Sequence, residues 1–267
     1  MIWLWIIGVI AIIAALTEAL RRGGWWLSVA VFGVLPLILA GLWPRLGLEP
    51  TAFEYIKVFS VSWGALYISA LRFRGLVRLS WARTVAFLIL FVNILEAMVT
   101  ETFSHTYINP VAGGFLLLSQ ALPRLMRVEE NDPQQDLRYD LGLDWVLAYT
   151  LWNFTFIYGT GPAGEPPGEW SAFALTHLIV PLLLMRGDAG RYIQFRAYAL
   201  SLLMMLAVTL PEPPYLMFTP EWHHPAIAAA LRFTSLALAA FVLIRSLRRP
   251  TADGGAAGLV GLLFPNR

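Results

Sequence analysis

Asn93, Glu96 and Thr100 fall three and four residues apart inside an otherwise apolar run, so a helix through them carries one polar stripe. Glu96 is the member with most chemistry: its carboxylate can hold a cation, take up a proton or pair with a base. Asn153, His177 and Arg232 lie in three further apolar runs. An ionisable side chain at the centre of a membrane-spanning helix costs on the order of 2.5–3.5 kcal/mol, so such groups need partners or a use. At 1.5 Å per residue, Glu96, Asn153, His177 and Arg232 all reach comparable depth in one half of a bilayer. Opposite charge makes Glu96 and Arg232 the natural ion pair, with Glu101 and Lys57 as a second. The set Asn93, Glu96, Asn153, His177 and Arg232 is therefore the candidate solute- or ion-binding constellation. Glu96 would bind a cation or proton there, and Asn153 and His177 would shape the site. The simpler alternative is a set of interhelical hydrogen bonds, each worth about 0.6–2 kcal/mol.

Other groups carry less. Glu221, His223 and His224 suit zinc by ligand type. Adjacent histidines do not readily converge on one ion, however, so they read as solvated loop residues and no metal centre is assigned. Asp140 and Asp144 stand where a helix begins and oppose its macrodipole, which explains them without chemistry. Cysteine is absent, which excludes disulfides and thiol catalysis. There is no nucleotide-binding loop, no H-E-x-x-H and no G-x-S-x-G. No cofactor is implied, and nothing in the residues decides for or against an enzyme.

The elements that would position these groups are hydrophobic helices. The chain is 58% hydrophobic and only 13% charged, against roughly 45–50% and 25% in soluble domains. Nine segments approach the roughly 20 apolar residues needed to cross a bilayer: 2–19, 24–43, 56–72, 84–103, 108–126, 141–159, 170–186, 192–210 and 225–245. The fifth is diluted by Gly113, Gly114, Gln120 and Pro123 and could be re-entrant.

Arginine clusters settle the parity. Arg21/Arg22, Arg72/Arg74/Arg78/Arg83, Arg124/Arg127/Arg138, Arg186/Arg191/Arg196 and Arg245/Arg248/Arg249 all fall on one side if there are nine crossings. Positive charge marks the cytoplasmic side. The expected architecture is an all-α polytopic bundle of about nine spans, N-terminus outside and C-terminus inside, in the cytoplasmic membrane. Residues 1–250 form the single transmembrane domain. Residues 251–267 are a Gly/Ala-rich cytoplasmic tail whose apolar patch, Leu259–Phe264, lies at the interface or frays. Trp3, Trp5, Trp25, Trp26, Trp43, Trp145 and Trp170 read as an aromatic belt near the span ends.

The stretch 93–159 has a distinctive cadence: N-I-L-E-A at 93–97, I-N-P-V-A-G-G at 108–114, L-P at 122–123 and Y-T-L-W-N-F-T-F-I-Y at 149–158. It resembles an uncharacterised prokaryotic family of multi-pass membrane proteins known only as a domain of unknown function. That resemblance implies an all-helical membrane protein and brings no activity with it.

The expected function is transport or sensing of a small solute or ion through a polar intramembrane site. The alternatives are a membrane-embedded enzyme acting on a lipid or isoprenoid, and a structural or assembly protein. The expected partners are the lipid bilayer and a small solute or ion. The arginines flank apolar runs, so nucleic acid is not expected.

Overall fold

The computed structural model describes residues 2–129, 132–160, 166–210, 222–248 and 258–259. Among them nine helices fall on the nine apolar segments: α1 (Ile2–Arg22), α2 (Trp25–Leu42), α3 (Ala52–Phe73), α4 (Ser80–Phe103), α5 (Ile108–Ser119), α6 (Leu143–Thr160), α7 (Ser171–Met185), α8 (Tyr192–Thr209) and α9 (Pro225–Arg248). The fold is all-α. Five helices (α1, α2, α4, α8 with its leading turn, and α9) are long and apolar enough to cross a membrane.

Local chemistry sets several boundaries. Thr51 caps α3 in a reciprocal box with Glu54: its hydroxyl accepts from the Glu54 N–H at 3.2 Å, and its own N–H donates to the Glu54 carboxylate at 2.7 Å. In α2, Pro36 lacks the N–H that would bond Phe32. The helix widens into a π segment over Val29–Val34 just ahead of it. The fifth segment is shorter than expected. Helix α5 has only 12 residues and gives way to extended chain at Gln120 and a 3-10 turn at Pro123–Leu125. Glycine makes its close packing possible: a Cβ on Gly113 would stand 2.7 Å from Met98 Cγ and 3.0 Å from Trp152 Nε1.

The helices form two groups. Helices α1, α2, α3 and α7 gather around α8, while α9, α4 and α6 gather around α5. The groups meet where α3 faces α4 and α6 faces α7.

The arginine-rich end of the bundle is a joint. A two-stranded hairpin, β1 (Arg127–Val128) with β2 (Leu137–Arg138), carries Asp136 into it. Asp136 is fully buried and lies 3.0 Å from Arg21, 3.6 Å from Arg72 and 3.3 Å from Arg191. Gln194 also donates to it, at 3.1 Å. Nearby, Arg138 pairs with Asp188 and Glu129. Asp132 steadies the loop. Burial pushes its carboxyl up, but the N–H groups of Gln134 and Asp136 that donate to it hold it below its ordinary value.

One expectation is corrected at this level, and two others gain detail. Trp43 and Trp145 are not belt residues: both are fully buried, donating to Thr209 Oγ1 and the Leu116 carbonyl at 3.1 Å each, and Trp170 is buried too. Trp3, Trp5 and Trp26 are exposed, as a belt requires. Asp144 is more than a helix-end acid, since it pairs with Arg245 at 2.9 Å. Of the tail, Gly258 and Leu259 are described. Leu259 donates its N–H to the Gln120 carbonyl at 3.3 Å, using the acceptor that α5 leaves free where it ends. The rest of the 259–264 patch lies outside the described residues.

Candidate functional site

A cavity of about 140 Å³ occupies the meeting line of the two helix groups. Asn93, Glu96, Asn153 and His177 all line it, so four of the five candidate residues converge on one space. Arg232 does not. Its Nη2 donates to the Gly159 carbonyl at 3.1 Å, on the α6–α9 side of the molecule.

The expected ion pairs are exchanged. Glu96 pairs with Lys57, whose Nζ lies 2.6 and 2.8 Å from its two carboxylate oxygens. Glu101, expected to meet Lys57, is instead fully buried between α4, α5 and α6. It accepts from Asn109 at 2.7 Å and Thr160 at 3.2 Å, with Arg232 near enough to act on it through space. The reason is rotational. Depth along a helix axis fixes height but not direction, and α4 turns its Glu96 face to α3 while α9 stands behind α5 and α6.

The cavity has a mouth and a floor. At the mouth, on the flank between α3 and α4, the Glu96 side chain is 47% exposed and Lys57 24%. Asn93 is exposed there too, among the outward-facing Val92 and Leu95. The floor is buried and comes from α6, α7 and α8. His177 Nδ1 faces only the Phe173 carbonyl, at 3.0 Å, and so carries a proton. Its Nε2 lies 3.3 Å from Asn153 Oδ1. That contact is satisfied by an imidazolium donating to Oδ1, or by a neutral ring accepting from the Asn153 amide after a half-turn of its terminal torsion. Pro181 supports the same spot, because without an N–H it leaves the His177 carbonyl unbonded by the helix.

The floor also holds a residue that the sequence reading placed elsewhere. Arg196 belongs by spacing to the Arg186/Arg191/Arg196 cluster, yet it lies inside the bundle on α8 and is only 9% exposed. Its Nε donates to the Tyr149 hydroxyl at 2.9 Å, and its guanidinium carbon sits 4.9 Å from the Tyr149 ring centre. Its buried Nη1 has no hydrogen-bond partner. A signal for this was available: Tyr192, Arg196, Ala199 and Leu203 follow one another at four, three and four residues. That is the spacing of a core-facing stripe.

Among the described residues no group of His, Asp and Glu is arranged to hold a metal ion. Glu221 lies outside the described residues. Of its neighbours, His223 packs on the Tyr158 ring at 5.5 Å, and the His224 N–H donates to the Tyr158 hydroxyl at 2.9 Å.

Comparison with known proteins returns one result. A family model described as a family of unknown function, DUF5692, matches residues 1–121 and 104–253. No curated protein and no solved structure matches the chain. The two family matches overlap and together reach far beyond the stretch 93–159. The chain belongs to that family.

Proposed function

We propose that this protein is a nine-span integral protein of the cytoplasmic membrane that admits a small solute into the cavity between its two helix groups, to move it or to sense it. Five helices have the length and apolarity of membrane spans. The joint at Asp136 supports the topology, because Arg21, Arg72 and Arg191, from three of the arginine clusters, meet there. Arg138 and Arg245, from the other two, pair close by with Asp188 and with Asp144 at the start of α6. Positive charge gathered at one end marks that end as cytoplasmic, with the N-terminus outside and the C-terminus inside. A crossing by the short α5 is supported by the chain that follows it: the turn after it packs against α4, and β1 lies beside the turn at Leu76–Arg78, at the end where α4 begins.

The observation that carries the solute reading is the convergence of polar groups from five helices, α3, α4, α6, α7 and α8, on one cavity at membrane depth. Polar groups that merely held helices together need no space between them. The flank position of the mouth favours one second reading, a membrane-embedded enzyme whose lipid or isoprenoid substrate enters sideways.

The chain has no cysteine, so single cysteines report cleanly. In proteoliposomes, Thr100→Cys and Leu200→Cys should react with a charged thiol reagent, whereas the outward-facing Leu95→Cys should not. Reaction of Leu200→Cys from both faces indicates transport, and from one face sensing. If neither cavity cysteine reacts, no solute path reaches this space and the reading fails.

A further inference from the structure

The cavity has a surplus of positive charge. Two cations and one carboxylate face it, and Glu96 is already neutralised by Lys57 at 2.6 Å. Arg196 is left over. Among the described residues no carboxylate pairs with it, and the groups that act on it are the hydroxyls of Tyr149 and Tyr192. A guanidinium buried to this extent is costly unless its donors and its charge are answered. An arginine also offers a planar fork of donors that matches a carboxylate, and the Arg196 side chain lines the cavity.

Besides the neutral polar side chains of Asn93, Thr100, Asn153 and His177, the lining is apolar or aromatic. Phe156, Trp170, Phe173 and Met204 surround the floor. The volume, about 140 Å³, is close to the roughly 150 Å³ of an apolar cavity that accepts benzene.

We propose that the ligand is a small organic monocarboxylate, with an apolar body of about benzene size held among the aromatic side chains and its carboxylate paired with Arg196. This deepens the solute reading and rests on it. It also reverses the role expected for the acidic residue: Glu96 does not receive the ligand's charge but balances Lys57 at the mouth. An uncompensated carboxylate at the mouth would repel an incoming anion, and the ion pair removes that barrier.

The test uses the purified full-length protein in lipid nanodiscs and its thermal unfolding midpoint. The probes are sodium benzoate, neutral benzamide and cationic benzylammonium, with sodium chloride at matched ionic strength. Benzoate at ten times its Kd should raise the midpoint by about 3–5 °C, and the other probes should not. Arg196→Gln should abolish the benzoate shift. Should that variant fold poorly, Leu200→Trp, which fills the cavity without altering charge, should abolish it as well.

Equal shifts from benzamide or benzylammonium would overturn the anion preference while leaving a solute cavity intact. An equal shift from chloride alone would overturn the organic ligand. No shift from any probe, with cavity cysteines still reactive, would overturn the ligand class and leave the solute reading standing. Silence in both experiments would remove both.

Discussion

Arg72 and Arg196 are both buried inside one helical bundle, yet their surroundings are opposite. Every guanidinium nitrogen of Arg72 donates to the chain: Nη1 to the Tyr198 hydroxyl at 2.7 Å, Nη2 to the carbonyls of Arg21 and Gln134 at 2.8 and 2.6 Å, and Nε to Gln135 at 3.1 Å, with Asp136 at 3.6 Å. Arg196 has one hydroxyl and an open space. The first is a joint, because its partners come from helix ends and a hairpin far apart in sequence, and satisfying the charge fixes all of them at once. The second lines the cavity, and among the described residues no carboxylate pairs with it. Identical chemistry thus serves architecture at one place and, in the proposal made above, recognition at another, and the difference lies in whether a carboxylate is supplied from within.

This contrast can be broken at either end. The largest effect should come from Asp136→Asn, which strips Arg21, Arg72 and Arg191 of their shared carboxylate. Breaking a buried pair of this kind costs roughly 3–5 kcal/mol, so the unfolding midpoint in detergent should fall steeply. A midpoint equal to wild type would mean that the joint is not one. Arg196→Met should act with the opposite sign. Removing an unanswered buried charge should raise stability by about 1 kcal/mol, even after the loss of the Tyr149 hydrogen bond. Marked destabilisation there would make Arg196 a second structural arginine and erase the distinction.

The mildest change is Glu96→Gln. Its pair with Lys57 is partly exposed, so stability should move by less than about 1 kcal/mol. Benzoate affinity should rise about three- to tenfold, because Lys57 then adds its charge to that of Arg196. Weaker binding instead would return Glu96 to the role of a direct cation or proton site.

What was legible in the sequence follows from what is local. The nine helices stand on the nine apolar runs because hydrophobicity and helical periodicity are written residue by residue. Asn153 and His177 were placed at one depth by counting along their helices, and they lie 3.3 Å apart. The pairing of Glu96 and Glu101 was misassigned, because height along an axis carries no information about which neighbour a helix faces. Asp136 was hidden by distance, 115 residues from its partner Arg21 in a stretch that reads as a hydrophilic loop. Arg196 was masked by its company: beside Arg186 and Arg191 it reads as one more topological charge, although its spacing with Tyr192 and Ala199 places it on the inward face.

The ammonium group at the cavity mouth belongs to the sole lysine of the sequence. Apart from the amino terminus, the molecule therefore carries one primary amine, and that amine stands at the entrance. Acylating reagents would tag this doorway and leave the arginines untouched. Occupancy of the chamber behind it could then be followed as protection of a single native atom, Nζ of Lys57, without altering the protein at all.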